Sequence, residues 1–160
     1  MAIPIDVQFE IDAPIGLVWA YFRDPPRVAP CLPGAELTRV LDERTYEGKA
    51  RVQVGPVVAQ YTGKLIIERL DSTAYVAEMV AHGDQQDATG RVQARIRYHL
   101  RPLSAARTEI ILHAELSIAG RLAQLGGGMI QAVARQLSRK FAECAERDLL
   151  NAASQASLID

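Results

Sequence analysis

The sequence predicts an α+β fold: a curved, seven-stranded antiparallel sheet wrapped around one long C-terminal helix, with two short helices after the first strand. Three observations predict it. Apolar and polar residues alternate strictly through most of the chain, the signature of half-buried strands. The alternating segments are joined by short turns, so neighbours in sequence pair antiparallel. Near Arg121 the apolar period lengthens from two to about three and a half, which only a helix satisfies.

The first strand shows Ile5, Val7, Phe9 and Ile11 on one face and Asp6, Gln8 and Glu10 on the other. Asp12-Ala13-Pro14 starts a short helix carrying Leu17, Val18, Tyr21 and Phe22, with Trp19 on its flank. Asp24-Pro25-Pro26 ends it, because proline cannot continue the hydrogen-bond ladder. A second helical turn covers Arg27 to Ala29, and Leu32-Pro33-Gly34 turns the chain into the sheet. Strands follow at Glu36–Leu41, Thr45–Val54, Val58–Leu70, Ala74–His82, Ala88–Leu100 and Thr108–Ile118. Gly55-Pro56, Asp71-Ser72 and the polar stretch from Gly83 to Asp87 punctuate them. From Arg121, Leu122, Leu125, Met129, Val133, Leu137, Phe141 and Ala145 form one stripe of a helix. Gly126-Gly127-Gly128 is an awkward insertion there, since a mid-helix glycine costs about 1 kcal/mol relative to alanine. Residues 1–153 make one domain and residues 154–160 a frayed tail.

With 160 residues, 49% of them hydrophobic and 23% charged, the chain has ordinary globular proportions and bulk enough for one core. A formal net charge of −1, without interleaved aromatic and basic residues, points away from nucleic acid. Asp6, Glu10 and Asp12 interrupt the N-terminal apolar run, so no signal peptide is expected, and no window approaches a membrane span. The expected location is the cytoplasm, with any membrane contact peripheral. Cys31 and Cys144 are read as free thiols of a reducing cytosol, a disulfide being the alternative. Neither they nor His82, His99 and His113 show metal-ligand spacing, so no metal is expected.

The functional reading starts from the inward strand positions. Gly48, Ala50, Ala59, Gly63, Gly90, Ala94 and Ala114 lie there, where a densely packed core uses larger side chains. Small residues on a curved sheet leave volume for an apolar guest. The alternative is that the glycines mark bends in a filled interior. Trp19, Tyr46, Ala50, Val52, Tyr61, Leu65, Ala94, Ile96, Leu125, Met129 and Val133 are the expected cavity lining, and Leu32, Pro33, Gly34, Gly55 and Pro56 its mouth. No catalytic residue is expected, for the chain has no GxSxG, and its serines fall in turns or on helix faces. Glu78 and His82 share a strand face and are the best acid–base pair for an enzyme of the same architecture. Arg91, Arg95 and Arg97 line an outer face, either paired with acids or free to dock an acidic partner.

Ala13-Pro14, Val18-Trp19, Cys31-Leu32-Pro33-Gly34-Ala35, Tyr46-Glu47-Gly48, Val52-Gln53-Val54-Gly55-Pro56 and the run from Ala119 to Gly126 follow one another in an order that resembles the G-subunit family of carbon monoxide dehydrogenase. That family belongs to the START-like, or SRPBCC, helix-grip superfamily of apolar-ligand binders. The resemblance covers about residues 3–150. It implies a non-catalytic accessory of a molybdenum-containing carbon monoxide dehydrogenase or related hydroxylase. Such an accessory helps bring the enzyme to the inner face of the cytoplasmic membrane. It implies no intrinsic cofactor, and a lipid or quinone as cargo. Longer members carry a C-terminal extension for membrane contact, which this sequence does not show up to Asp160. A small cyclase- or hydratase-like enzyme and a filled interaction module are the two alternatives.

Overall fold

A computed structural model describes residues 2–85 and 90–159, with side chains described through 151. Strand β1 (Ala2–Ile11) leads into helix α1 (Ile15–Phe22), the short α2 (Pro25–Val28) and a 3-10 turn at Ala29–Cys31. Six strands follow: β2 (Ala35–Val40), β3 (Thr45–Val54), β4 (Val57–Asp71), β5 (Val76–Gln85), β6 (Arg91–Ser104) and β7 (Arg107–Ala119). A second 3-10 turn (Arg121–Leu125) precedes the long helix α3 (Gly127–Ile159). The strands form one antiparallel sheet in the order β1-β7-β6-β5-β4-β3-β2, so every neighbour is a sequence hairpin except β1, which joins β7. The predicted α+β architecture, a curved seven-stranded sheet holding a long helix, is the one observed.

Three β-bulges, between Leu37 and Arg39, Ile67 and Arg69, and Pro102 and Ser104, help bend the sheet. Glycine supplies a second means of bending. Gly48 pairs with Gly63 and Gly63 with Gly83, so three adjacent strands carry glycine at one register. A Cβ on Gly63 would fall onto the main-chain carbonyl oxygen of His82, and one on Gly48 would lie 2.8 Å from the Glu36 oxygen. The backbones approach more closely than any side chain allows, and the sheet creases along this row.

The core falls into two clusters. Val18, Trp19, Tyr21 and Phe22 of α1 pack with Tyr98, Leu100 and Ile110 of the sheet and with Phe141, Ala145 and Leu149 of α3. Ile3, Val54, Ala59, Tyr61, Ile118, Leu122 and Ile130 make a second, separate group. Every aromatic ring except Tyr46 and Tyr61 belongs to one network, from Phe9 through Phe22 and Phe141 to Tyr98, Trp19 and Tyr75. The bulk of the interior is therefore gathered at one end.

Three expectations need correction. The long helix begins at Gly127 rather than Arg121, because Gly126 sits at φ 86° and breaks the ladder behind the 3-10 turn. That break resets the helical phase: Ile130 is buried, whereas Met129 is 45% exposed. Strand β5 runs through Gly83 and Asp84 to Gln85, where the sequence predicts a loop, because Gly83 and Asp84 pair with β6; Gln86, Asp87 and Ala88 lie outside the described residues. Finally, Cys31 and Cys144 are not free thiols. They form a disulfide with Cα atoms 5.4 Å apart, joining the 3-10 turn to α3 across 113 residues of sequence.

The crease predicts opposite signs for two glycine substitutions. Gly63→Ala should lower the unfolding free energy in urea by about 3 kcal/mol or more, the upper range of overpacking costs. Gly16→Ala, whose Cβ meets nothing within 4 Å in α1, should raise it by roughly 0.5 kcal/mol.

A candidate ligand-binding cavity

Between the two core clusters lies a cavity of about 440 Å³. Its floor is the inward face of the sheet: Gly48 and Ala50 on β3, Gly63 and Leu65 on β4, Met79, Ala81 and Gly83 on β5. Val92, Ala94 and Ile96 on β6, and Leu112, Ala114 and Leu116 on β7, continue it. Helix α3 covers it with Leu137, Ser138 and Phe141. Pro25, Val28, Ala29 and Leu32, from α2 and the following turn, form the wall beside the mouth, where Leu32 is 42% exposed. The register explains the hollow. Ala81 pairs with Ala94, and Ala114 stands opposite Ile96, so methyl groups face each other across strands beneath the glycine crease.

The polar content is small and largely committed. The Ser138 hydroxyl donates to the Ala134 carbonyl at 2.7 Å. The Tyr98 hydroxyl donates to the Phe22 carbonyl at 2.7 Å. Tyr61, also on the wall, is buried, and its hydroxyl has no hydrogen-bond partner among the described residues. Burial pushes both phenols up from their ordinary value, so each remains a neutral donor. Four residues with charged or imidazole side chains border the space and all are exposed: Glu36 and Lys49, which pair with each other at 3.6 Å, and Lys64 and His82, which face each other across β4 and β5. An interior of this kind offers a mainly apolar surface with the buried, unpartnered Tyr61 hydroxyl in it.

Of the expected lining residues, Ala50, Tyr61, Leu65, Ala94 and Ile96 meet on the cavity wall. The others lie elsewhere. Trp19 packs against Tyr75 and Tyr98 within the aromatic cluster. Tyr46 borders a separate polar groove with Arg23, Asp24, Glu43 and Arg44. Val52, Leu125 and Val133 pack on the second cluster, and Met129 lies exposed beside Gly55. At the mouth, Leu32 lines the opening, and Pro33 and Gly34 follow it. Gly34, at φ 83°, accepts a hydrogen bond from the Arg51 N–H at 2.9 Å, fixing the turn to β3. Gly55 and Pro56 form the β3–β4 hairpin next to Met129, away from this opening. The wall residues that sequence reasoning misses, Met79, Ala81, Val92, Leu112, Leu116 and Phe141 among them, carry the correct periodicity; only the cross-strand register and the folded grip reveal them.

The outer face answers two further expectations. Glu78 lies 3.6 Å from Arg69 and 3.7 Å from Arg97 in exposed ion pairs, whereas His82, also exposed, borders the cavity. Arg91, Arg95 and Arg97 pair with Asp84, Glu68 and Glu78, which balances their charge. Exposed pairs of this sort contribute roughly 1 kcal/mol or less each. Among the described residues, Cys31, Cys144 and Asp148 converge within 4.8 Å, the two sulfurs being bonded to each other. No helix among the described residues is long and apolar enough to cross a membrane.

A creased antiparallel sheet gripping a long helix around an apolar cavity defines a protein of the START-like, helix-grip class. Solved structures agree. The chain is similar to a conserved protein from Geobacillus kaustophilus, with a TM-score of 0.83 at 17% identity over 93% of this chain and 96% of that one. It resembles the Zhui aromatase/cyclase from Streptomyces sp. R1128, with a TM-score of 0.66 at 16% identity over 93% and 94% of the two chains. A START superfamily protein from Mycobacterium smegmatis gives 0.62 at 13% identity over 92% and 97%. No curated protein matches the chain. The model of one family, the carbon monoxide dehydrogenase G-subunit (CoxG) family, matches residues 8–150, and the chain belongs to that family.

The two buried phenols predict opposite responses to loss of the hydroxyl. Tyr98→Phe should cost about 1–2 kcal/mol in urea or thermal unfolding, because the Phe22 carbonyl loses its donor. Tyr61→Phe should leave the ligand-free protein unchanged, or stabilise it by roughly 1 kcal/mol, because an unpaired hydroxyl leaves the interior.

Proposed function

We propose that this protein is a non-catalytic accessory that holds an apolar ligand, a lipid or a quinone, in the cavity between sheet and helix. In this role it helps dock a carbon monoxide dehydrogenase-type molybdenum hydroxylase at the membrane. The observation that carries the reading is the hollow itself: about 440 Å³ walled by alanine, glycine, leucine, isoleucine and phenylalanine, with the Ser138 and Tyr98 hydroxyls already bonded within the protein. That volume lies in the lower half of the range of about 300–1,000 Å³ typical of small-molecule sites, so it suits a compact ligand or the head of a longer one. Membership in the CoxG family supports the link to the dehydrogenase. The ion pairs that Glu78 makes with Arg69 and Arg97 on the exposed face support a binding role over acid–base work by that residue.

Organic extraction of the purified protein, followed by mass spectrometry, should yield a co-purifying lipid or isoprenoid quinone. Ala94→Phe, which fills the middle of the floor, should weaken uptake of added quinone or fatty acid at least about tenfold, a loss of roughly 1.4 kcal/mol, while circular dichroism stays unchanged. A clean extract together with no uptake by the unmodified protein would overturn the reading.

A further inference from the structure

The disulfide occupies a position from which it governs the cavity. The segment from Pro25 to Leu32 forms the wall beside the mouth, and Cys31 sits inside it. On the other side, Cys144 lies one helical turn beyond Phe141, which lines the cover. The S–S bond thus ties wall to cover directly. Apart from it, the segment meets α3 through apolar packing, Cys31 and Val28 sharing a cluster with Phe141, Ala145 and Leu149. The main-chain bonds of the segment close locally: the N–H groups of Arg27 and Val28 donate to the Asp24 carbonyl, and that of Leu32 to the Ala29 carbonyl. It is bonded to the sheet at its end, where Gly34 accepts from Arg51.

The bond also has neighbours that would hold the reduced Cys31 as a thiol. The Tyr21 hydroxyl donates to Asp148 Oδ2 at 3.0 Å and lies 3.3 Å from Cys31 Sγ, while Asp148 Oδ2 is 3.4 Å from the same sulfur. A disulfide sulfur has no proton to give. Once the bond opens, the Cys31 thiol gains one, and the Asp148 carboxylate stands ready to accept a hydrogen bond from it. Cys31 is buried at 3% exposure, whereas Cys144 is only partly buried, so an incoming thiolate reaches Cys144 first.

We propose that Cys31–Cys144 is a redox-responsive clamp, closed as the disulfide and released by a dithiol donor, which sets how readily the cavity exchanges its ligand. This rests on the cavity reading above. In the release step a donor thiolate attacks Cys144 Sγ, forming a mixed disulfide, and Cys31 leaves as a thiolate that is then protonated. The donor's second thiol displaces Cys144 and closes the donor to a disulfide. Two electrons and two protons pass from donor to clamp, leaving two cysteine thiols. The wall segment then moves without a covalent tie to α3, and the mouth beside Leu32 opens more often.

The test equilibrates the full chain in mixtures of reduced and oxidised dithiothreitol. Alkylation and mass spectrometry count the thiols, and stopped-flow fluorescence follows release of a fluorescent fatty acid. The two thiols should appear together, and release should quicken in step by at least about tenfold, the factor given by 1.4 kcal/mol in the opening equilibrium. Cys144→Ser should release at the fast rate in every mixture. Should that variant misfold, the reduced unmodified protein, checked by circular dichroism, carries the same comparison. Uptake with equal release rates in both forms, or two free thiols in every mixture, would overturn the clamp alone. No uptake in either form would remove the cavity reading and the clamp with it.

Discussion

The main-chain carbonyl of His82 presses against Gly63 where no Cβ can stand, and the interior takes its shape from that approach. Glycine at the matched positions 48, 63 and 83 lets three adjacent strands fold along one line. Side chains would have kept the sheet gently twisted there and filled the space beneath it. The corner and the hollow are therefore one feature. Bends in a filled sheet and a cavity in a curved one look like rival meanings of these glycines in the sequence. Register unites them, since the residues that permit the crease are the residues that leave the floor bare.

The remaining bulk is distributed in keeping with this. With nearly all aromatic rings gathered around Phe22, Tyr98 and Phe141, one end of the grip is packed tightly enough to anchor α1, the sheet and α3 together. Leu122 and Ile130 close the other end around Tyr61. Two cores flanking a void are less stabilising than one continuous core, because the lining atoms lose their contacts across the gap. The long disulfide loop, spanning 113 residues, is well placed to offset that loss by constraining the unfolded chain.

Much of this is legible in the sequence, for identifiable reasons. Alternation marks most of the strands, and within β3, β4 and β6 it places Ala50, Tyr61, Leu65, Ala94 and Ile96 on the cavity wall. What alternation does not reveal is position along the sheet. Val52 shares its face with Ala50 but lies one pleat further toward the second cluster, and Trp19 points into the aromatic network rather than the void. The helix stripe misleads at Met129 because Gly126, at positive φ, breaks the phase that Leu122 and Leu125 imply. The cysteine pair is hidden for a different reason. Nothing local connects Cys31 to Cys144, and only the folded grip brings their Cα atoms within bonding range.

The central claim is that the space between Gly63, Ala94 and Phe141 holds no protein atoms and welcomes apolar ones. Diffraction from crystals of the ligand-free protein under xenon pressure tests it most directly, since xenon enters dry apolar cavities. The account predicts a xenon peak above Ala94, beneath Phe141, with the surrounding side chains unmoved. A site filled by Phe141, Leu137 or Met79, with no xenon in it, would contradict the account.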